Sequence, residues 1–237
     1  MRTLTLLVFA ILSIWSYGQD TGIIIYEEKV NIHRQLPPSR QQYKDMIPEF
    51  RTSKYELHYT TTESMFTASK EQDIPEGGQR WMSQMPQRDV YKNLEEDKMV
   101  DSREFMTKKF LIRGESEQYT WKVADGQKTI QDFMCIKAVY QDSAGTFTAW
   151  FTPQIQISNG PAEFGGLPGM ILQLDINDEE RVLTAIEIRE TEVDLDMLKE
   201  PKKGKEVTSD EFREIVAKKM REMRQQRGGG TSGKDRS

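Results

Sequence analysis

A single cysteine in 237 residues removes the usual staple of exported folds. Cys135 has no second thiol in the chain to pair with, so no internal disulfide forms and stability has to come from a buried core. It lies in 133-FMCIKAVY-140, a strand-like segment, and reads as a small buried hydrophobe. A nucleophile or metal ligand would need an activating base close by. The two histidines, His33 and His58, are not placed near it by anything in the sequence.

Other absences narrow the chemistry. No G-x-S-x-G elbow is present for a serine hydrolase. The phosphate-cradling G-x-x-x-x-G-K-S/T is also missing, since Gly126-Gln127-Lys128-Thr129 lacks the upstream glycine. The carboxylate pairs Glu27/Glu28, Glu95/Glu96 and Glu179/Glu180 fall in polar turns or on strand rims and read as solvated faces. Hydrolysis is therefore the third-ranked reading. Basic side chains are outnumbered, 33 against 38, for a net charge of −5, which argues against nucleic acid as a partner.

Long apolar runs are scarce too. The longest, from Leu4 to about Trp15, is too short for a bilayer span, which needs roughly 20 residues. With Arg2 before it and Ser16 and Gly18 after it, the run has the form of a secretory signal peptide over residues 1–18. Cleavage after Gly18 would leave 32 basic and 38 acidic side chains and no transmembrane segment. The expected location is the periplasm or the outer membrane, with peripheral membrane association left open.

What the chain does have is short alternating runs broken by turn residues, the mark of antiparallel strands. Such runs occupy 23–32, 54–60, 63–69, 88–93, 98–106, 108–114, 118–125, 133–140, 146–151, 170–176 and 181–190. Gly114 and Asp125-Gly126 read as turns, and 71–87, with two prolines and two glycines, as an exposed loop. Spacing this close excludes βαβ units. The expected fold is mainly β: one curved antiparallel sheet or unclosed barrel over residues 19–195. A charged linker at 196–207 leads to a C-terminal helix at 208–227 and a disordered tail at 228–237. Thr208 and Glu211 fit a capping box, and Phe212, Ile215, Val216, Met220 and Met223 recur at helical spacing. The basic end of that helix reads as a solvated face that suits the C-terminal dipole, with docking to a partner or membrane surface as the alternative.

One stretch departs from this pattern: 150-WFTPQIQISNGPAEFGGLPGMILQL-174 mixes three prolines and four glycines with apolar residues. Pro153 ends the preceding strand, and Leu167-Pro168-Gly169-Met170 suits a type II turn. Proline makes the segment stiff, and a stiff apolar loop has to be buried. It can plug its own sheet, line a pocket for an apolar ligand, or meet another protein. Plugging is favoured by Ile155, Ile157, Phe164 and Leu167, and least well explains Glu163.

Residues 160–172, GP-x-x-F-G-G-L-P-G-M-I-L, resemble the signature of the GLPGLI family of exported Bacteroidetes proteins, with Met170 where the family name has leucine. The run 149–161, Cys-x-Lys-Ala at Cys135 to Ala138, and the charged segment before the Met- and Arg-bearing helix resemble it as well. The resemblance implies an exported envelope protein of unassigned activity, and it carries no catalytic residues. The architecture is also similar to unclosed-barrel periplasmic carriers that bind lipoproteins, an analogy that does not fix function.

The leading expectation is thus a non-enzymatic envelope protein without a cofactor. Trp150, Phe151, Phe164, Leu167, Pro168 and Met170 would form the wall that meets an apolar ligand or an outer-membrane or periplasmic partner. The alternative is a soft-metal protein of the copper type, using the M-x-x-M pairs Met82/Met85 and Met220/Met223, because thioethers suit Cu(I).

Overall fold

The computed structural model describes residues 21–71, 88–116, 118–143 and 145–228. The expected signal peptide, the greater part of the 71–87 loop, Met82, Met85 and the tail lie outside them.

Among the described residues twelve strands form one sheet. In chain order they are β1 (Gly22–Asn31), β2 (Phe50–Tyr59), β3 (Glu63–Ala68), β4 (Arg88–Asn93), β5 (Lys98–Phe105), β6 (Lys108–Glu115), β7 (Lys122–Ile130), β8 (Phe133–Asp142), β9 (Gly145–Thr152), β10 (Met170–Ile176), β11 (Arg181–Glu190) and β12 (Lys205–Val207). Their spatial order is β12-β6-β5-β4-β3-β2-β1-β11-β10-β9-β8-β7. The chain meanders outward from β1 to β6, crosses to the far edge, and meanders back from β7 until β11 pairs with β1.

That crossing forces the curvature. In a flat sheet β6 and β7 would stand about 48 Å apart, ten strand spacings of about 4.8 Å. The link from Glu115 to Lys122 reaches at most roughly 25 Å when fully extended. The sheet therefore bends until its two flanks approach each other, and it does not close into a barrel.

Mainly β architecture with a C-terminal helix is what the alternation predicts, and several local features differ. The segment 118–121 is a non-strand connector, and Val123 is exposed. Asp125-Gly126 does not turn the chain. It sits in the register shift of β7 between Val123 and Gln127, and the hairpin is made by Gln131-Asp132, both at positive φ. Part of the charged 196–207 segment is structured: β12 adds to β6 in parallel, where the other strand pairs among the described residues are antiparallel. A short helix α1 (Ile32–Gln35) and a 3-10 turn (Pro38–Met46) follow β1. Helix α2 (Ser209–Gly228) starts at the expected capping box, with Thr208 N–H donating to Glu211 Oε2 (2.8 Å) and Glu211 N–H to Thr208 Oγ1 (3.2 Å). It packs on the sheet through Phe212, Ile215 and Val216 against Phe105, Phe110 and Ile112.

Along β1 and β2 the alternation sends Ile24, Tyr26, Leu57 and Tyr59 to the concave side, where they are fully buried. The loop 153–169 drops into the same space. Ile155, Ile157, Ala162, Phe164 and Leu167 are all within 6% of complete burial and join the strand residues in one cluster. Ile155, Ile157, Phe164 and Leu167 each contribute roughly 1.5–3 kcal/mol. Tyr26 O–H donates to the Ile171 carbonyl (2.6 Å), beside the register shift of β10 between Ile171 and Gln173. The expected type II turn is tighter here: Gly169 N–H donates to Leu167 O (2.8 Å) around Pro168. Gly169 has φ +146° and lies against Thr152 O, 2.1 Å from where a Cβ would sit, so no other residue fits.

The connector between β6 and β7 clamps this plug. Trp121 Nε1–H donates to Gly165 O (2.8 Å), and the Tyr119 ring stacks on Phe164 with centroids 5.0 Å apart.

Candidate functional site

Arg88, Val90 and Lys92 lie on the concave face of β4, and Met99, Asp101 and Arg103 oppose them on β5. This half of the concavity is thus polar, while the half formed by β8–β11 is apolar. The plug loop meets the polar half through Glu163, Asn159 and its own backbone.

Arg88 is the hub. Its Nη2–H donates to Asp101 Oδ2 and to Glu163 Oε2, both at 2.6 Å, and its Nε–H donates to Asp101 (3.2 Å). Arg103 holds the same Asp101 oxygen through Nε (2.8 Å) and Nη2 (2.6 Å). Burial by itself would raise the Glu163 carboxyl, but Arg88, with Arg103 behind it, overrides this and brings it down to about 2. Burial likewise works against the charge of Arg88, and Glu163 and Asp101 outweigh it. The unexplained acid of the loop is therefore the plug's ionic anchor.

Lys92 is the second anchor and is 3% exposed. Its ammonium donates to Asn159 Oδ1 (3.0 Å), Gly160 O (3.3 Å) and Phe164 O (2.7 Å), so all three N–H groups are spent on the loop. Burial pushes its pKa down to about 7, with Glu163 opposing and Arg88 assisting. Between pH 7 and 10.5 the unfolded chain then binds one proton more than the folded one, so stability rises with pH. The expected gain between pH 7 and 9 is on the order of 2–3 kcal/mol. Urea midpoints for the native protein and Lys92→Met at the two pH values check this, the variant showing a much smaller rise.

Beside Lys92 a cleft of about 410 Å³ opens between the loop and the β4–β5 turn. Its walls are rich in amides and hydroxyls: Thr61, Ser116, Gln118, Gln156, Ser158 and Asn159. Asn159 is fully buried, and its Oδ1 accepts from Lys92 and from Gly160 N–H (2.8 Å). That assignment fixes the amide orientation and leaves Nδ2, with two hydrogens, lacking a partner among the described residues.

The residues expected to form a ligand wall are distributed otherwise. Phe151, Phe164, Leu167 and Met170 are buried in the core, Trp150 is half-buried with Lys128 Nζ 4.2 Å above its ring, and Pro168 is exposed. Phe164 and Leu167 belong to the body of the plug, Phe151 and Met170 to the strands it packs on, and Gln156, Ser158 and Asn159 of the loop line the cleft. Met220 is exposed and Met223 half-buried on the part of α2 beyond its packed residues. Among the described residues no group of three or more His, Cys, Asp or Glu converges as a metal site. Cys135 is fully buried, and burial pushes its thiol up to about 11. Glu28, read as a solvated carboxylate, is instead 3% exposed and bound by Arg181 Nε (2.5 Å). Sequence reasoning did not single out Arg88, Lys92, Asp101 or Asn159, because each is an isolated polar residue in an unremarkable strand or loop.

A family model described as a protein of unknown function (Porph_ging) matches residues 142–173, which span β9 and the whole plug loop. The plug is thus the part of the chain similar to that family. No curated protein matches the sequence. In fold the chain is similar to PNGF-II, solved in two crystal forms, with TM-scores of 0.58 and 0.59 at 13% identity over 84% of this chain. The chain spans about a third of the length of PNGF-II. At that identity the likeness shows the fold alone. Among the described residues no helix is long and apolar enough to cross a membrane.

Proposed function

We propose that this is an exported, non-catalytic cell-envelope protein that holds an extended polypeptide segment of an envelope partner in the cleft beside Lys92. The unpartnered Nδ2 of buried Asn159 carries the reading. A buried amide without an acceptor costs about 1–3 kcal/mol, and a ligand carbonyl recovers it once a small shift of the Asn159 side chain opens the group to the cleft it lines. The donors and acceptors of Thr61, Gln118, Gln156 and Ser158 complement a peptide backbone better than an alkyl chain. The apolar side chains of the loop support the same choice, since they are already occupied by the core. The leader-like residues 1–18 support export.

Native mass spectrometry of protein taken from its own envelope tests this. A photo-crosslinking residue at Ser158 should capture a polypeptide, and the Gln118→Ala/Gln156→Ala double variant, altered only at the rim, should lose it. A bound lipid or metal with no polypeptide, or a complex indifferent to the double variant, would sink the proposal.

A further inference from the structure

A second cleft, of about 440 Å³, lies at the other end of the concave face under helix α2. Lys92 and Arg88, four residues apart on one face of β4, separate the two ends. Four arginines line this one, Arg51, Arg88, Arg103 and Arg181, and they arrive from β2, β4, β5 and β11. The sheet register sets them in two groups. Arg51 and Arg181 both pair with Val30, so they flank it in a row across β2, β1 and β11. Arg88 and Arg103 face each other directly across β4 and β5.

Three of the four guanidiniums are held by internal carboxylates: Arg181 by Glu28, and Arg88 and Arg103 by Asp101. Those pairs use Nε or Nη2 and leave the Nη1 edge of each fork without a partner among the described residues. Arg51 is exposed and makes no ion pair there at all. The site therefore presents three arginines already fixed in orientation plus Arg51, which no carboxylate holds, with Glu104 as the acid of the same wall that has no ion pair among the described residues. An anion that reaches Arg51 and Arg181 supplies the anionic partner that Arg51 lacks. The remaining wall has a polar part, Glu28, Gln35, Tyr55 and Glu104, and an apolar part, Val30 and Phe105 from the sheet with Phe212 and Val216 from α2.

We propose that this cleft binds an anionic amphiphile. Arg51 and Arg181 take a carboxylate or phosphate head group, and its alkyl body lies against Phe105, Phe212 and Val216 beneath the helix. The site is separate from the polypeptide cleft and does not depend on it. A cavity of this size is in the usual range for a small ligand.

Calorimetric titration of the full chain with octanoate, octyl phosphate, octanol and inorganic phosphate tests the proposal. The two amphiphiles should bind at least about tenfold more tightly than octanol or inorganic phosphate, because each control lacks one half of the recognition. The stronger of the two identifies the head group. Arg51→Gln should weaken the amphiphile about tenfold. That side chain is exposed and unpaired, so the melting temperature should not move. Val216→Ser should weaken octanoate and leave inorganic phosphate as it was, while Gln118→Ala in the other cleft changes neither. Octanol binding as tightly as octanoate, or an Arg51→Gln variant with native affinity, overturns the proposal.

Discussion

Replacing Arg88 by methionine should lower stability by about 3–5 kcal/mol, which is the cost of leaving a buried ion pair with one partner. The loss has two parts. Asp101, 2% exposed, keeps only Arg103, and Glu163 loses its sole ion-pair partner among the described residues. The pH dependence distinguishes this from a simple packing defect. Glu163 titrates near 2 in the folded protein and near 4.5 when unfolded, so its contribution is complete above pH 4.5 and is lost as pH falls toward 2. Denaturant midpoints taken from pH 5 to pH 2.5 should fall steeply for the native protein and much less for Arg88→Met. An unchanged slope would mean that Glu163 is not held by Arg88.

The other large effect is expected at Leu167. Truncation to alanine should cost about 2–5 kcal/mol, as for other fully packed leucines. Leu167→Asp goes further, placing a carboxylate at a 3% exposed position in the apolar core cluster, and should prevent folding. Far-ultraviolet circular dichroism and the yield of soluble protein read this out. A Leu167→Asp chain that melted like the native protein would show the loop to be a surface feature and remove the plug from the account. The Porph_ging match overlies this same loop, so the residues that define the similarity are the ones that fill the concavity.

Much of the sheet was legible because one face of most strands is buried, which writes a period of two into the sequence. Legibility fails where that condition fails. In β4 the outward Tyr91 is buried against Val100 and Leu111 under Leu198, while the inward Lys92 is buried against the loop, so apolar and polar no longer mean in and out. Strand β12 is three residues of charged chain and has no pattern to find. Gly126 carries a turn signal but bulges within a strand, and Gln131-Asp132 turns without the glycine that usually marks a two-residue hairpin.

The candidate sites were harder still. Glu163 could be marked as anomalous from its apolar surroundings, yet Arg88 lies 75 positions earlier and nothing local ties the two together. The arginines of the second cleft come from strands scattered between residues 51 and 181, and each alone looks like an ordinary solvated charge. What assembles them is the order of the strands, which depends on the short link joining β6 to β7.

The pairing of Gly22 with Glu190 has a consequence for how the molecule is made. A ribosome or translocon releases β1 long before β11 exists, and until then one whole side of that ribbon is an unsatisfied ladder of amides and carbonyls. Assembly must be slow, because so many of its contacts join distant parts of the chain. During that interval the nascent meander is adhesive toward any other extended chain it meets, and the last long strand ends the hazard when it takes its seat.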